Sequence, residues 1–325
     1  MSLSAIAKQA GVSVSTVSKA FSGSSEIGES TRARVFEVAR QMGLFEKYDQ
    51  NRFPKRVIAV ICPEFNSDYY NATVTLLGRE IESRGGIMTV SEARFSNERM
   101  QELFSYYASY CKVDGIIVID PHGEVRNPTW TPAVCFGSSR TYEGVTCISS
   151  SLGHAIEEAV GHLKAMGHER IGFAGERLTT SKLNCFKNAM RKHLLPVRDQ
   201  YIYIGNRRFE EGGLECAEQF LKSADRPTAI LAAYDHIAIG IIKKLRKNGI
   251  AVPNDLSVIG MDDISVAQYL ETALSSIRTH HDRVCMLAVD LLMKKIESPY
   301  YEPKEAVVVP CEFIPRESSG RAAKG

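Results

Sequence analysis

The sequence predicts two unlike parts: a small all-α head at the amino terminus and a larger α/β body built on parallel sheets in two lobes. Three observations carry this. Residues 1–43 contain three short amphipathic segments and no stretch with the period of a strand. Residues 46–56, EKYDQNRFPKR, are polar, contain Pro54 and show no apolar period, so they read as a linker. From Val57 onward short apolar runs alternate with amphipathic segments, as in a parallel, doubly wound sheet.

In the head, a first helix over Ser4–Gln9 is followed by Ala10-Gly11-Val12-Ser13, a tight turn in which Gly11 can take a positive φ. Ser13 is placed to cap a second helix from Val14 to Phe21. A third helix starts near Ser30, carries Val35, Val38, Ala39 and Met42 at helical spacing, and stops at Gly43. Ile6, Ala7, Val12, Val17 and Phe21 form the expected miniature core.

In the body, the apolar runs are Val57–Cys62, Ile87–Val90, Gly115–Ile119, Ala133–Phe136, Val145–Ile148, Arg170–Ala174, Thr228–Ala232 and Leu256–Met261. Between them lie expected helices at 69–84, 98–111, 151–166, 182–194, 210–223 and 235–248. This is more strand than one sheet of such a domain needs, so two sheets are expected. The resulting division is a head over 1–45, a linker over 46–56, a body over 57–316 and a tail over 317–325 expected to be disordered.

The chain has 325 residues, 44% hydrophobic and 24% charged, enough for two or three domains at about 150 residues each. Its net charge is +2, but residues 1–56 hold nine Lys and Arg against five acids, a local +4, which leaves −2 for the rest. A basic head on a near-neutral body implies an anionic partner for the head. Eight Cys occur without a C-x-x-C pair; Cys62, Cys135, Cys147 and Cys185 lie in or beside apolar runs and read as reduced core residues, with no zinc site. No signal peptide and no membrane-spanning run is visible, so a cytoplasmic location is expected. The sequence has no G-x-G-x-x-G, P-loop, G-x-S-x-G or H-E-x-x-H, which argues against an enzyme and calls for no cofactor. His280-His281-Asp282 and His122-Gly123-Glu124 are its dense titratable clusters, read as structural or solvated.

The segment LSAIAKQAGVSVSTVSKAFSG has the layout of a helix-turn-helix, whose second helix enters the major groove of DNA. Val14 can touch a thymine methyl, Ser15 can donate or accept, and Lys19 can reach guanine O6 or N7. Ser13, Thr16 and Ser18, with Arg32 and Arg34 on the next helix, suit phosphate contacts. In open parallel sheets ligands sit beyond the carboxyl ends of strands. The loops there are 63–70, 120–123, 175–182, 233–235 and 262–263, and they hold Tyr69, Tyr70, Lys182, Tyr234, Asp235 and Asp262. Aromatic faces and carboxylates make a set compatible with a sugar, although Asp235 can equally cap the helix that starts there.

The string A7-x-x-A10-G11-V12-S13-x-x-T16-V17-S18-K19, with S30-T31-R32-x-R34-V35, resembles the lactose/galactose repressor (LacI/GalR) family of bacterial transcription factors. So do H162-L-x-x-x-G167-H168-x-R170-I171-G172-F173, D235-x-x-A238-I239-G240 and V252-P253-x-D255-L256-S257-V258-I259-G260-M261-D262-D263 in the body. The resemblance implies a homodimer on a pseudo-palindromic operator. It also implies a sensor like the periplasmic sugar-binding proteins, with the chain crossing between lobes three times. The N-lobe is then expected over 57–148 and 279–305, the C-lobe over 149–278 and 306–316. It further implies that Tyr69, Tyr70 and Asp262 lie beside the effector.

The departures are specific. Lys182 stands where many members place an Arg, a point charge instead of a bidentate fork. Tyr234 replaces an Asn, Gly137-Ser138 stand for Asp-Arg, and Ser149-Ser150 for Asp-Asn. Fewer acids beside a retained Lys182 tilt the expected effector towards an anionic, sugar-like ligand, against the pull of Asp235 and Asp262. The family's hinge helix with its wedging Leu is replaced by Gln50-Asn51-Arg52-Phe53-Pro54, and Pro54 disfavours helix at Phe53. Missing pocket residues leave a second reading open, a regulator of the catabolite-control type governed by a protein partner.

Overall fold

The computed structural model describes residues 2–22, 24, 26–48, 55–137, 141–298, 301, 303 and 306–322. The chain separates into two compact units, Met1–Arg56 and Val57–Gly325.

The head packs α1 (Leu3–Ala10), α2 (Val14–Phe21) and α3 (Glu29–Gln41), followed by a single turn, α4 (Phe45–Tyr48). Gly11 takes φ +64 and ends α1, as the turn between α1 and α2 requires. Ile6, Ala7, Val17 and Phe21 are buried as expected, with Ala10, Ala20, Val35, Ala39 and Leu44 completing the core. Helix α4 occupies part of the stretch expected to be linker. Its Phe45 and Tyr48 rings sit 5.7 and 6.1 Å from Phe21, so aromatic contact holds a turn that has no apolar period of its own. The expected hinge residues Gln50 to Pro54 lie outside the described residues.

The body carries two parallel sheets. The N-lobe sheet uses β1 (Val57–Cys62), β2 (Ile87–Glu92), β3 (Gly115–Ile119), β4 (Ala133–Phe136), β5 (Thr146–Ser150) and β11 (Val307–Val309), in the order β11-β5-β4-β3-β1-β2. Its inner strands β1, β3 and β4 read as continuous apolar runs because both faces are covered. Ile58, Val60, Ile117, Ile119 and Val134 enter one core, while Ala59, Ile61, Ile116, Val118 and Ala133 enter the other. Helices α5 (Asp68–Ser83) and α11 (His281–Glu297) cover the first face, α6 (Asn97–Ser105) the second. The C-lobe sheet is β7-β6-β8-β9, made from β6 (Ile171–Glu176), β7 (Ile202–Gly205), β8 (Ala229–Ala232) and β9 (Ser257–Ile259). Around it pack α7 (Leu152–Ala165), α8 (Thr180–Lys192), α9 (Phe209–Lys222) and α10 (Asp235–Lys247). A short antiparallel pair, β10 (Ser276–Arg278) and β12 (Glu312–Ile314), accompanies the later passages between lobes.

Three features correct the sequence reading. Residues 307–309 belong to the N-lobe sheet, not the C-lobe: β11 pairs in parallel with β5, and Val309 is buried in the N-lobe core. The tail is ordered through Ala322. Ser318 is fully buried, its carbonyl accepts from Val258 N at 2.8 Å, and Ala322 N donates to Met166 O at 2.9 Å, so the tail satisfies backbone groups of the C-lobe. Strands β7, β10, β11 and β12 fall outside the apolar runs, unlike the equally short β9 within Leu256–Met261. All eight Cys are free; Cys62 and Cys135 are buried, Cys147 and Cys185 half-buried and Cys111 exposed.

Candidate functional site

In the head, α2 buries Val17, Ala20 and Phe21 and turns Val14, Ser15, Ser18 and Lys19 outward. Val14–Ser18 and Ser15–Lys19 are i,i+4 pairs, so these four side chains share one face. Val14 is 46% exposed, notable for an apolar residue on so small a domain. Ser13 caps the helix, its Oγ accepting from Thr16 N at 3.0 Å, and the hydroxyls of Ser13 and Thr16 lie 2.8 Å apart. Lys19 Nζ meets Glu26 Oε2 at 2.5 Å, and the cation holds that carboxyl below its usual range. Arg32 is turned inward, donating to Ser24 O at 2.6 Å and lying 3.5 Å from Ile27 O. The structure thus gives Arg32 the task of bracing the loop before α3, while Arg34 is exposed.

In the body, one cavity of about 590 Å³ opens at the carboxyl ends of the strands of both sheets. The N-lobe supplies Tyr69 and Tyr70 after β1, Asp120 and His122 after β3, Gly137 after β4, and Ser149 and Ser150 from β5. The C-lobe supplies Arg177 and Lys182 after β6, Arg208 and Phe209 after β7, Tyr234 and His236 after β8, and Asp262 after β9. Five of the six expected cleft residues therefore meet there. Asp235 does not. It is fully buried at the first turn of α10, where its carboxylate accepts from Ile264 N at 2.8 Å and Ser276 Oγ at 2.6 Å. Burial, with Asp262 nearby, pushes its carboxyl up to about 8.

Lys182 is committed on three sides. Its Nζ donates to Ala233 O at 2.7 Å, lies 3.5 Å from Asp262 Oδ1, and sits 4.3 Å from the centre of the Tyr234 ring. Tyr69 packs edge-on against Tyr70 at 5.0 Å and His281 at 4.4 Å. His281, from a cluster read as structural, lines the cavity, and burial holds its imidazole below the usual range. Asp120 and Asp262 have φ +42 and +101, uncommon values for residues with side chains and costly enough to suggest a function.

Arg208 was not legible in the sequence. Its guanidinium reaches Glu64 of the N-lobe at 2.6 Å and Glu176 of the C-lobe at 3.5 Å, and lies over Phe95 and Phe209 at 5.1 and 4.5 Å. His236 likewise bridges Asp68 at 3.1 Å and Glu210 at 2.6 Å. These contacts join the two lobes across the cavity mouth. Had Ile202–Gly205 been recognised as a strand, Arg208 would have fallen at its carboxyl end. Among the described residues no group of three or more His, Cys, Asp or Glu is placed to hold a metal ion, and no helix is long and apolar enough to cross a membrane.

A helix-turn-helix head joined to a two-lobed binding domain defines a class, the ligand-sensing DNA-binding regulators. Residues 2–44 match the bacterial regulatory proteins of the lacI family, and residues 160–319 match a periplasmic binding protein-like domain. Catabolite control protein A of Priestia megaterium is 27% identical over 309 residues, 89% of this chain and 90% of that one. The HTH-type transcriptional repressor CytR of Escherichia coli (strain K12) is 26% identical over 329 residues, 97% of this chain and 95% of its own. The fold matches that of the Lac repressor dimer bound to operator and the anti-inducer ONPF, with a TM-score of 0.71, 19% identity, and 98% and 99% of the two chains covered. It also matches the transcriptional regulator CelR–cellobiose complex, with a TM-score of 0.69, 23% identity and the same coverage. The head is a lacI-family DNA-binding domain, the body is a periplasmic binding protein-like domain, and the chain is a DNA-binding transcriptional regulator.

Proposed function

We propose that this regulator is a homodimeric, cytoplasmic repressor that reads a pseudo-palindromic operator with the exposed face of α2 and releases or tightens it when a neutral, sugar-like effector fills the cleft. The observation that carries the effector reading is the cavity of about 590 Å³, walled by both lobes and lined by tyrosines, carboxylates and hydroxyls. Aromatic faces suit the CH-rich side of a sugar ring, and carboxylates accept charge-assisted hydrogen bonds from its hydroxyls. Solved structures of the same fold hold cellobiose, ribose and sucrose, which supports the same class here.

We favour a neutral effector over the anionic one expected from the sequence, because the charge of Lys182 is met by Asp262 and the Ala233 carbonyl. A cavity of this size also favours a small molecule over the protein-partner reading suggested by the catabolite-control resemblance. The reading assigns binding and no catalytic step to the cleft. The head's role follows from its face: Val14, Ser15 and Lys19 read bases, while Ser13, Thr16, Ser18 and Arg34 contact phosphate.

The test is selection of duplexes from a random pool followed by a salt titration. A two-fold symmetric consensus is expected, with log affinity falling by roughly 0.9 per neutralised phosphate per unit of log salt. A flat salt response, or no enriched sequence, contradicts the proposal. For the cleft, a neutral saccharide at 100 times its dissociation constant should add about 2.7 kcal/mol of stability.

A further inference from the structure

Asp120 and Gly137 stand side by side at the carboxyl ends of β3 and β4, one residue beyond the paired Ile119 and Phe136. Asp120 N donates to Phe136 O at 2.9 Å, so the ladder continues to this point. A Cβ built on Gly137 would lie 1.5 Å from Asp120 Oδ1 and 2.5 Å from its Cγ. The Asp120 carboxylate therefore occupies the volume that a side chain at 137 would fill. The chain places its acid at 120, where φ is +42, and its glycine at 137, where φ is +82. A side chain at 137 would meet the Asp120 carboxylate where it now lies and would be strained at φ +82.

The carboxylate is also oriented. Tyr70 Oη donates to Asp120 Oδ2 at 2.9 Å, which leaves Oδ1 as the second acceptor. Asp120 and Asp262 both line the cavity, one from each lobe. Lys182 is within 3.5 Å of Asp262, and no comparable cation contact is made by Asp120 among the described residues. Burial outweighs the hydrogen bond from Tyr70 and the attraction of Lys182, and raises the Asp120 carboxyl to about 6. A second negative charge would be opposed here, whereas a hydroxyl would be welcomed as a donor.

We propose that Asp120 is the N-lobe's effector-binding carboxylate, accepting a hydroxyl hydrogen bond from a neutral polyol whose other side Asp262 holds from the C-lobe. This rests on the effector reading above and sharpens it. A ligand held by one carboxylate from each lobe favours the closed arrangement of the lobes, and it gains only as much as its affinity differs between the arrangements.

The experiment is calorimetric titration with ribose, glucose, sucrose, cellobiose and glucose 6-phosphate. The proteins are wild type, Asp120→Asn, Asp120→Gly, and Asp120→Gly combined with Gly137→Asp, each checked for an intact melting transition. Asp120→Asn should weaken the tightest neutral saccharide at least tenfold. The double variant should bind no better than Asp120→Gly alone, because a Cβ at 137 takes the place of Asp120 Oδ1 at a φ of +82 and carries its carboxylate beyond that position. Unchanged binding by Asp120→Asn, or glucose 6-phosphate binding more tightly than glucose, overturns the assignment while leaving the effector reading intact. If none of the five compounds binds wild type, the polyol reading fails, and the role of Asp120 fails with it.

Discussion

The recognition face of the head and the cleft of the body are built in opposite ways. On α2 the residues expected to read DNA lie within one and a half turns of one helix, and several of them are exposed. In the cleft the side chains come from the ends of eight strands scattered over more than 200 residues, and most are already bonded to one another. A surface that meets its partner from outside needs only local order. A site that surrounds its ligand needs polar groups satisfied before the ligand arrives, because a buried unpaired group costs about 1–3 kcal/mol. The difference makes the head sensitive to its small core and the cleft sensitive to its pairings.

The most forceful way to break that comparison is Phe21→Ala. Phe21 is 2% exposed and contacts Phe36, Phe45 and Tyr48. Its loss should cost about 3–5 kcal/mol, comparable with the whole stability of a head this small. Calorimetry should show the head's transition gone, the body's unchanged and operator binding lost. A body transition that fell as far as the head's would show that the two units do not stand alone.

The next prediction concerns pH. The carboxyls of Asp120 and Asp235 are raised to about 6 and about 8 in the folded protein. Each therefore contributes stability that is present below about pH 4 and lost as pH rises through its folded value. The body should melt lower at pH 8.5 than at pH 5. Asp235→Asn should flatten that slope by several degrees, since an amide can still accept from Ile264 N and can donate to Ser276 Oγ. Asp262 and Asp263 both face Asp235 and oppose its ionisation. An unaltered slope in Asp235→Asn would remove Asp235 as its cause.

A smaller effect sharpens the account of the cleft. Lys182→Met leaves Asp262 without its cation at a site where both side chains are under one-fifth exposed. A loss of about 2 kcal/mol is expected. Asp262→Asn in the same chain should restore part of it, with a coupling of roughly 0.5–3 kcal/mol in a double-mutant cycle. Strict additivity would mean that the pair does not interact.

The smallest effect is Arg32→Ala. With its guanidinium on the carbonyls of Ser24 and Ile27, it should cost about 1 kcal/mol of head stability and leave the preferred operator sequence unchanged. A smaller salt dependence of DNA binding in Arg32→Ala, with the head still folded, would return Arg32 to the DNA phosphates.

The legibility of the two regions in the sequence follows the same division. The bounds of α2, its Ser13 cap and the positive φ of Gly11 are local consequences of spacing and residue type, and all were readable. In the body, long apolar strands such as Val57–Cys62 were equally plain. The short strand Val307–Val309 was not, because its pairing is set by a partner more than 150 residues away. Tyr69, Tyr70, Lys182, Tyr234 and Asp262 were found because each follows a strand that could be recognised. Arg208 was hidden behind the short β7, and the inward turn of Arg32 and Asp235 depends on tertiary partners that no spacing reveals.

The central claim is that occupancy of the cleft changes the affinity of the head for DNA. It is tested by fluorescence anisotropy of a selected operator duplex, titrated with wild type and with Asp262→Asn in the presence and absence of a saturating neutral saccharide that binds wild type. Wild type should change its operator affinity 5- to 150-fold, equivalent to about 1–3 kcal/mol of coupling, and the duplex should change saccharide affinity by the same factor. Asp262→Asn should keep its operator affinity and lose the response at that saccharide concentration. An operator affinity that stays constant while the saccharide is demonstrably bound to wild type would contradict the account.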